Sequence, residues 1–307
     1  MPQNEKPLRI GTRGSKLALV QANMVADLLR AGGTACEIVP VKTTGDRIQD
    51  RPLADAGGKG LFVKELEDAL LDERIDLAVH SMKDVPVDLP AGLATAAVLK
   101  REDPRDAFVS NRAKTLAGLP HGAVVGTSSV RRAAQVARIR PDLKRVLLRG
   151  NVDTRLAKLD AGEIDGMLLA LAGLKRLGLE SRATQVLDDV LPALAQGAVG
   201  IEIRETDTRV REIIAQLNDK DTEIALTCER AFQKALGGSC RSPMAGLATI
   251  ENETLVFRGE VLAPDGRDLV ALAVRIPLTA NARMEAERTG HEAGLSIRPR
   301  AQPWLDL

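Results

Sequence analysis

Twice in this chain a short apolar run ends in Gly-Thr and passes at once into an amphipathic helix. Leu8 to Gly11 leads into Gly11-Thr12-Arg13-Gly14-Ser15, and Ala123 to Gly126 leads into Gly126-Thr127-Ser128-Ser129. Behind the first turn, Leu17, Val20, Met24, Val25 and Leu28 recur at helical spacing as far as Gly32-Gly33, with Ser15 placed to cap. A strand from Cys36 to Val41, a helix marked by Phe62, Leu66, Ala69 and Leu70, and a strand from Ile75 to Val79 follow. The order β-α-β-α-β predicts a parallel sheet with helices on its faces. Behind the second turn the pattern restarts. A helix over Val130 to Arg140 stops at Pro141, and strand Lys144 to Leu148, helix Asp153 to Ala161 and strand Asp165 to Ala170 follow. Two similar α/β lobes are therefore expected. Each Gly-Thr turn opens on a helix N-terminus, whose unpaired N–H groups and positive dipole end suit an anion.

The rest of the chain joins and extends the lobes. Thr43 to Lys59 shows no period, holds Gly57-Gly58-Lys59-Gly60 and reads as a mobile loop. Leu93 to Leu99 reads as a strand. Lys100 to Asp106 is charged and broken by Pro104, which suits a hinge. Val199 to Arg204 is strand-like and is expected to return to the first lobe. A helix over Thr208 to Leu217, a polar break at Asn218-Asp219-Lys220-Asp221 and a helix over Glu223 to Leu236 come next. A hairpin pairs Thr254–Leu262 with Asp268–Val274 around Pro264-Asp265-Gly266. Thr289 to Leu307 shows no clear period and reads as a helix end and a tail. The expected domains are residues 1–99 with 198–217, residues 105–193, and a small α+β domain over residues 220–307.

Composition excludes several classes. Over 307 residues the net charge is +1, so no global field selects nucleic acid or an anionic membrane. The N-terminal residues hold no apolar signal core, and the longest apolar stretch, Gly166 to Leu174, is too short to span a bilayer. A cytoplasmic protein is expected. Three cysteines with no CxxC, and three scattered histidines, predict free thiols and no metal site.

Three places hold residues suited to chemistry. The first is His80-Ser81-Met82-Lys83-Asp84-Val85-Pro86, where an apolar strand stops and Pro86 turns the chain away. Lys83 and Asp84 then stand at the C-terminal lip of a strand, where open α/β sheets bind ligands. His80 is expected to anchor this loop by a hydrogen bond. The second is a run from Gly126 to Lys158 with nine basic residues opposed only by Asp142 and Asp153. In it Arg131 and Arg132 stand in a first helical turn, where the dipole disfavours cations, and Arg149 and Arg155 flank a strand end. Arginines there suit two-pronged contact with carboxylate or phosphate. No aromatic residue lies between Phe108 and Phe232, so the stacking platforms of a nucleic-acid binder are missing. Small anions fit better. The third is Cys240, on a glycine-rich loop closed by Pro243 and suited to covalent attachment or to a nucleophile. Cys36 and Cys228 lie in apolar surroundings and are expected to be buried and inert.

Together these motifs resemble the porphobilinogen deaminase family over nearly the whole chain. The residues that carry the likeness are Gly11 to Ser15, Gly58-Lys59-Gly60-Leu61-Phe62, His80 to Pro86, Gly126 to Arg132, Arg149 to Arg155, Ala172-Gly173-Leu174-Lys175-Arg176, Gln196-Gly197-Ala198 and the Cys240 loop. The resemblance implies two similar periplasmic-binding-protein-like α/β lobes around a cleft, plus a small α+β C-terminal domain. It implies an enzyme that joins four porphobilinogen molecules head to tail, releasing ammonia at each step, and hydrolyses the product free as hydroxymethylbilane. A dipyrromethane cofactor would hang from Cys240 by a thioether. Asp84 would be catalytic. Arg13, Ser15, Lys83, Thr127, Ser128 and Ser129 would bind side-chain carboxylates of cofactor and substrate. Arg131, Arg132, Arg149, Gly150, Arg155, Ala172, Gly173, Arg176 and Gln196 would do the same on the second lobe. Lys59 and Phe62 would belong to a mobile active-site loop. A cytoplasmic monomer that takes a small-molecule substrate, and neither nucleic acid nor membrane, is implied.

The chemistry agrees with the charges. Each porphobilinogen brings two carboxylates, which call for several arginines, while loss of ammonia leaves a cation that a carboxylate such as Asp84 can stabilise. Two departures stand out. The cofactor loop reads Gly237-Gly238-Ser239-Cys240-Arg241-Ser242-Pro243-Met244 where the family more often has Gly-Gly-Cys-x-x-Pro-Ile, and Ala195 stands where the family has glycine. A rival reading is a two-lobed small-anion binding or sensor protein. It leaves Cys240 and the C-terminal domain unexplained.

Overall fold

A computed structural model describes residues 6–44, 62–237 and 242–305. The chain divides into two compact units, Met1–Arg101 with Ala198–Glu223, and Glu102–Gly197 with Ile224–Leu307.

In the first unit, β1 (Leu8–Arg13) runs into α1 (Lys16–Ala31), then β2 (Cys36–Val41), α2 (Lys64–Leu71), β3 (Leu77–Ser81) and β4 (Leu93–Val98). Ser15 caps α1 by accepting the N–H of Ala18. The helix stands where its period puts it, but a different face is buried. Ala18, Ala22, Val25, Ala26 and Leu29 meet the sheet, while Met24 and Leu28 are exposed. Alanines let the helix sit close to the strands, and size-weighted periodicity undervalues them. A return strand, β10 (Val199–Arg204), completes the order β2-β1-β3-β10-β4. β1 is parallel to β2 and β3, whereas β10 is antiparallel to both β3 and β4. The sheet is thus mixed where an all-parallel one was expected. The chain re-enters at the end where β3 stops, with Val199 opposite Ser81, and can only run back. Leu8, Ile10, Leu29, Leu77, Ile201 and Ile203 are wholly enclosed, each contributing roughly 1.5–3 kcal/mol by burial. α6 (Thr208–Ala215) packs Val210 and Ile214 on the same core.

The second unit repeats the plan. Its strands are β5 (Asp106–Val109), β6 (Val124–Thr127), β7 (Lys144–Leu147), β8 (Gly166–Ala170) and β9 (Gln185–Leu187), in the order β7-β6-β8-β5-β9. β6 is parallel to β7 and β8, and β5 is antiparallel to β8 and β9. The pairing matches the first sheet strand for strand. In both, the fourth strand in the order comes from a crossing segment. The charged run from Lys100 is therefore more than a hinge, because its last residue, Asp106, opens β5. Helices α3 (Val130–Ile139), α4 (Val152–Asp160) and α5 (Leu171–Arg176) follow β6, β7 and β8. Phe108, Val125 and Leu168 fill one face, and Met167, Leu169 and Leu156 the other.

The C-terminal part holds α7 (Lys220–Leu236), an antiparallel sheet of β11 (Met244–Glu251), β12 (Thr254–Leu262) and β13 (Leu269–Pro277), and α8 (Ala282–Ala301). The polar break expected at residues 218–221 is instead the start of α7, because Asp219 accepts the N–H of Thr222 at 2.9 Å. The expected tail is likewise a helix. α8 buries Ala286, Gly290, Ala293, Gly294, Ile297 and Ala301, a stripe of mostly small residues. A Cβ on Gly290 would stand 2.0 Å from the Cys228 carbonyl oxygen, so α7 and α8 touch backbone to backbone. A stripe so small leaves no hydrophobic period to read.

Candidate active site

The C-terminal end of β3 carries the first group of candidate residues. Beyond Ser81 the chain makes one 3-10 turn, Met82–Asp84. Met82 seats it. Its N–H donates to the Ala198 carbonyl at 3.1 Å, and its side chain lies against β10, where a Cβ on Gly200 would stand 2.0 Å from the sulfur. Lys83 and Asp84, both half-buried, then project from the strand end. Asp84 lines a small pocket with Arg13, Ser15, Gln21, Phe62, His80 and Ser81. The Arg13 guanidinium lies 4.0 Å over the Phe62 ring, a cation–π contact. Gln21 and Ser81 exchange hydrogen bonds at 2.8 and 3.1 Å across the pocket floor. Among the described residues no hydrogen bond or ion pair engages the Asp84 carboxylate.

Behind the pocket lies a buried titratable cluster. His80 Nε2 is 2.9 Å from Glu202 Oε2 on β10, and both side chains are almost fully enclosed. The contact is one of charge proximity. Its geometry is not that of a hydrogen bond, and His80 Nε2 and both Glu202 carboxylate oxygens have no such partner among the described residues. The hydrogen-bonded anchor expected of His80 is replaced by this close approach. Glu67 on α2 is 7% exposed, and burial followed by the Glu202 charge pushes its carboxyl up to about 7.

The second unit gathers the arginines at the matching strand ends. Ser129 caps α3 by accepting the N–H of Arg132 at 3.3 Å, and Thr127 Oγ1 accepts the N–H of Ser129. Arg131 and Arg132, expected on an open lip, are instead 4% and 7% exposed. Both meet Asp106, the fully buried first residue of β5. Arg131 Nη1 is 2.7 Å from Oδ2, and Arg132 Nη2 is 2.7 Å from Oδ1. Gln196 Nε2 donates to the same Oδ1 at 2.8 Å. Burial alone would raise the Asp106 carboxyl, but the two guanidiniums overcome it and hold it well below the usual range. The basic run is therefore opposed by one more acid than its own sequence contains. Arg149 is half-buried after β7. Gly150, at φ +111°, turns its carbonyl to Arg155 Nε at 2.8 Å, and Arg155 Nη2 reaches Ser128 Oγ at 3.4 Å. Ala172 and Gly173 are buried in α5. Arg176 Nη2 donates to the Gly197 carbonyl at 2.7 Å. Of the thiols, Cys228 is buried and its pKa is raised by burial, while Cys36 is only half-buried, short of the burial expected. Lys59 and Cys240 lie outside the described residues.

Gln21, Ser81, Glu67, Glu202 and Asp106 belong to these sites and went unread in the sequence. Asp106 had a signal, standing directly after the proline-broken charged run. Gln21 and Glu202 had none, being single polar residues inside apolar elements.

Among the described residues no group of His, Cys, Asp and Glu could hold a metal ion, and no helix is long and apolar enough to cross a membrane. In the first unit a carboxylate stands beside an arginine and a capped helix N-terminus, and in the second a pair of buried arginines stands at the strand ends; each is a setting for charged groups.

Two family models match the chain: "Porphobilinogen deaminase, dipyromethane cofactor binding domain" over residues 8–212, and "Porphobilinogen deaminase, C-terminal domain" over residues 224–298. A porphobilinogen deaminase of Nitrobacter hamburgensis is 51% identical over 298 residues, spanning 95% of this chain and 93% of that protein. One of Paracoccus denitrificans is 52% identical over 277 residues, spanning 88% of each. A periplasmic substrate-binding protein of an ABC transporter from Coxiella burnetii covers 70% of this chain and 93% of its own, at 15% identity and a TM-score of 0.44, too faint a likeness to support the sensor reading.

Proposed function

The chain belongs to the porphobilinogen deaminase family, and on that premise we infer which of its residues carry the reaction. It is an enzyme, a transferase of tetrapyrrole biosynthesis. Four porphobilinogen molecules are joined head to tail, and water frees the linear hydroxymethylbilane. At each joining the aminomethyl C–N bond breaks, ammonia leaves, a C–C bond forms to the terminal pyrrole and that pyrrole carbon gives up its proton. The family model is that of a dipyrromethane cofactor-binding domain, so the chain works with that cofactor.

Cys240 is the proposed point of attachment. Dipyrromethane carries carboxylates, and the second unit has donors that suit them. Arg131 Nε and Arg176 Nε are buried with no hydrogen-bond partner among the described residues. Arg131, Arg132, Arg149, Arg155 and Arg176, with Ser128, Ser129, Thr127, Gly150, Ala172, Gly173 and Gln196, form the proposed cofactor side. When bound, the cofactor supplies the free pyrrole carbon on which the chain grows, and it remains on the protein when the product leaves.

Asp84 is the proposed catalytic residue. The observation that supports it is a carboxylate that lines a pocket beside Arg13 and Ser15 and is engaged by no described residue. An unspent carboxylate can accept a pyrrole N–H, stabilise the positive charge left on the methylene carbon when ammonia departs, and take up the proton that the pyrrole carbon gives up. Arg13 and Ser15 would hold a substrate carboxylate and Lys83 another, and Lys59 and Phe62 would belong to a mobile active-site loop. A cytoplasmic monomer and a three-domain division at residues 1–99 with 198–217, 105–193 and 220–307 complete the proposal, the last supported by three separate sheets.

Intact-mass measurement tests both assignments. Purified protein is expected to exceed its polypeptide mass by one dipyrromethane, and Cys240→Ser to lack the excess. Asp84→Ala is expected to retain the cofactor mass while turnover falls by about 100-fold or more. Active protein at the bare polypeptide mass would sink the attachment, and near-normal product formation by Asp84→Ala would sink the catalytic assignment.

A further inference from the structure

We infer that Asp106 is a positioning residue that divides the work of the two adjacent arginines: Arg132 is held as its partner, and Arg131 keeps an open fork for a carboxylate. The inference rests on the proposed cofactor-binding role of this pair.

The two guanidiniums are spent differently. Arg132 gives Nε and Nη2 to Asp106 Oδ1 at 3.2 and 2.7 Å, Nη1 to the Leu168 carbonyl at 3.1 Å, and Nη2 again to Gln196 Oε1 at 3.3 Å. The Nε–Nη2 edge, which grips a carboxylate two-pronged, is therefore filled by the protein's own carboxylate. Arg131 engages the protein through Nη1 alone, with Asp106 Oδ2 at 2.7 Å, Gln135 Oε1 at 2.8 Å and the Leu191 carbonyl at 3.0 Å. Its Nε is buried without a partner among the described residues, and its Nη2 donates to none of them.

The charges agree with this division. Two buried cations touch one buried anion, so Arg131, Arg132 and Asp106 together carry one positive charge. Glu260 is linked to Arg131 only through the Gln135 amide, which accepts from Arg131 Nη1 at 2.8 Å and donates to Glu260 at 3.1 Å. An unmatched buried cation is costly, and a carboxylate on the open edge of Arg131 would match it. Asp106 thus keeps the two like charges from repelling each other out of the site, turns Arg132 inward, and leaves Arg131 as the member of the pair whose fork a ligand can fill.

A charge-paired variant cycle tests this. Asp106→Asn leaves two buried cations without their anion, while Arg132→Gln strips Asp106 of the donors that Arg132 gives it and leaves its charge to Arg131 alone, whose open fork is then drawn onto it; each is expected to lower the fraction carrying the dipyrromethane mass by about tenfold or more. Arg132→Gln with Asp106→Asn together removes both charges and is expected to restore loading to within about threefold of the unaltered protein, with a melting temperature above both singles. A double variant that loads and melts no better than Arg132→Gln, or that fails to fold, overturns the inference. Lysine variants separate fork from charge. Arg132→Lys is expected to keep KM for porphobilinogen within about threefold, whereas Arg131→Lys raises KM or lowers loading by about tenfold with kcat little changed. Equal behaviour of the two lysine variants also overturns it. If the unaltered protein carries no dipyrromethane, the cofactor reading falls, and the melting cycle still judges the Asp106 pairing.

Discussion

Glu67 is an acid kept where water hardly reaches, with Glu202 of β10 and His80 of β3 facing it and Lys64 and Asp68 on its own helix. Its pKa of about 7 in the fold lies above the ordinary 4.5, so the folded chain binds this proton more tightly than the unfolded chain does. Stability from this group is therefore full below pH 4.5, falls as pH rises towards 7 and stays low above it. Glu67→Gln is expected to raise stability at pH 8 by about 1–2 kcal/mol and to change nothing near pH 4, as read by denaturant midpoints across pH. A variant no more stable at pH 8 would show that Glu67 is ionised in the fold at little cost. At this scale the sequence was readable where function lies in short motifs. Asp84, Arg13 and Ser15 were singled out because each ends or caps an element, and the fold brings the three to one pocket. Partners were not readable, because the Asp106 that pairs with Arg131 and Arg132 lies 25 and 26 residues before them in a different element. Counting charge along a segment saw a free cationic surface where the fold has a buried ion pair.

At the scale of elements, Ala195 shows how a tertiary contact sets a backbone. It adopts φ +60°, left-handed space that costs an alanine roughly 1 kcal/mol, and its N–H donates to Glu229 Oε2 on α7 at 2.5 Å. Glu229 Oε1 accepts the N–H of Ala248 on β11 at 2.8 Å, so one buried carboxylate ties both segments to α7. Ala195→Gly would relieve the strain and is expected to raise stability by about 0.5 kcal/mol, seen as a higher denaturant midpoint. A lower midpoint would mean that Ala195 gains more from packing than it loses in strain. Helices with capping residues were legible, as α1, α3 and α6 show. α8 was not, because it packs through Gly290, Gly294 and alanines. β5 was hidden within a charged run, and β11 and β9 lacked flanking turn signals strong enough to frame them.

At the scale of the molecule, two five-stranded sheets share one pairing plan, each completed by a strand that crosses from elsewhere in the chain. The repeated Gly-Thr turns made this doubling legible, because β1–α1 and β6–α3 occupy equivalent positions. The direction of the crossing strands was not, since the antiparallel run of β10 depends on where the chain re-enters. Each unit has its own core, so calorimetry is expected to resolve two transitions. Glu67→Gln, measured at pH 8, should move one of them and Ala195→Gly the other. A single transition moved by both would show that the units unfold together.

β10 also orders events on the ribosome. Among the described residues β4 pairs in the sheet with β10 alone, and β3 has β10 on one side. β4 ends at Val98 and β10 begins at Val199, so about 100 residues, roughly 5–20 s of synthesis, separate the two. During that interval the first sheet waits with an open edge, while the second, whose last strand is β9, has every strand it needs. The nascent chain thus closes its sheets in the reverse of the order in which it begins them. The N-terminal lobe, first to emerge, is the one that depends longest on whatever shields unfinished strands in the cell.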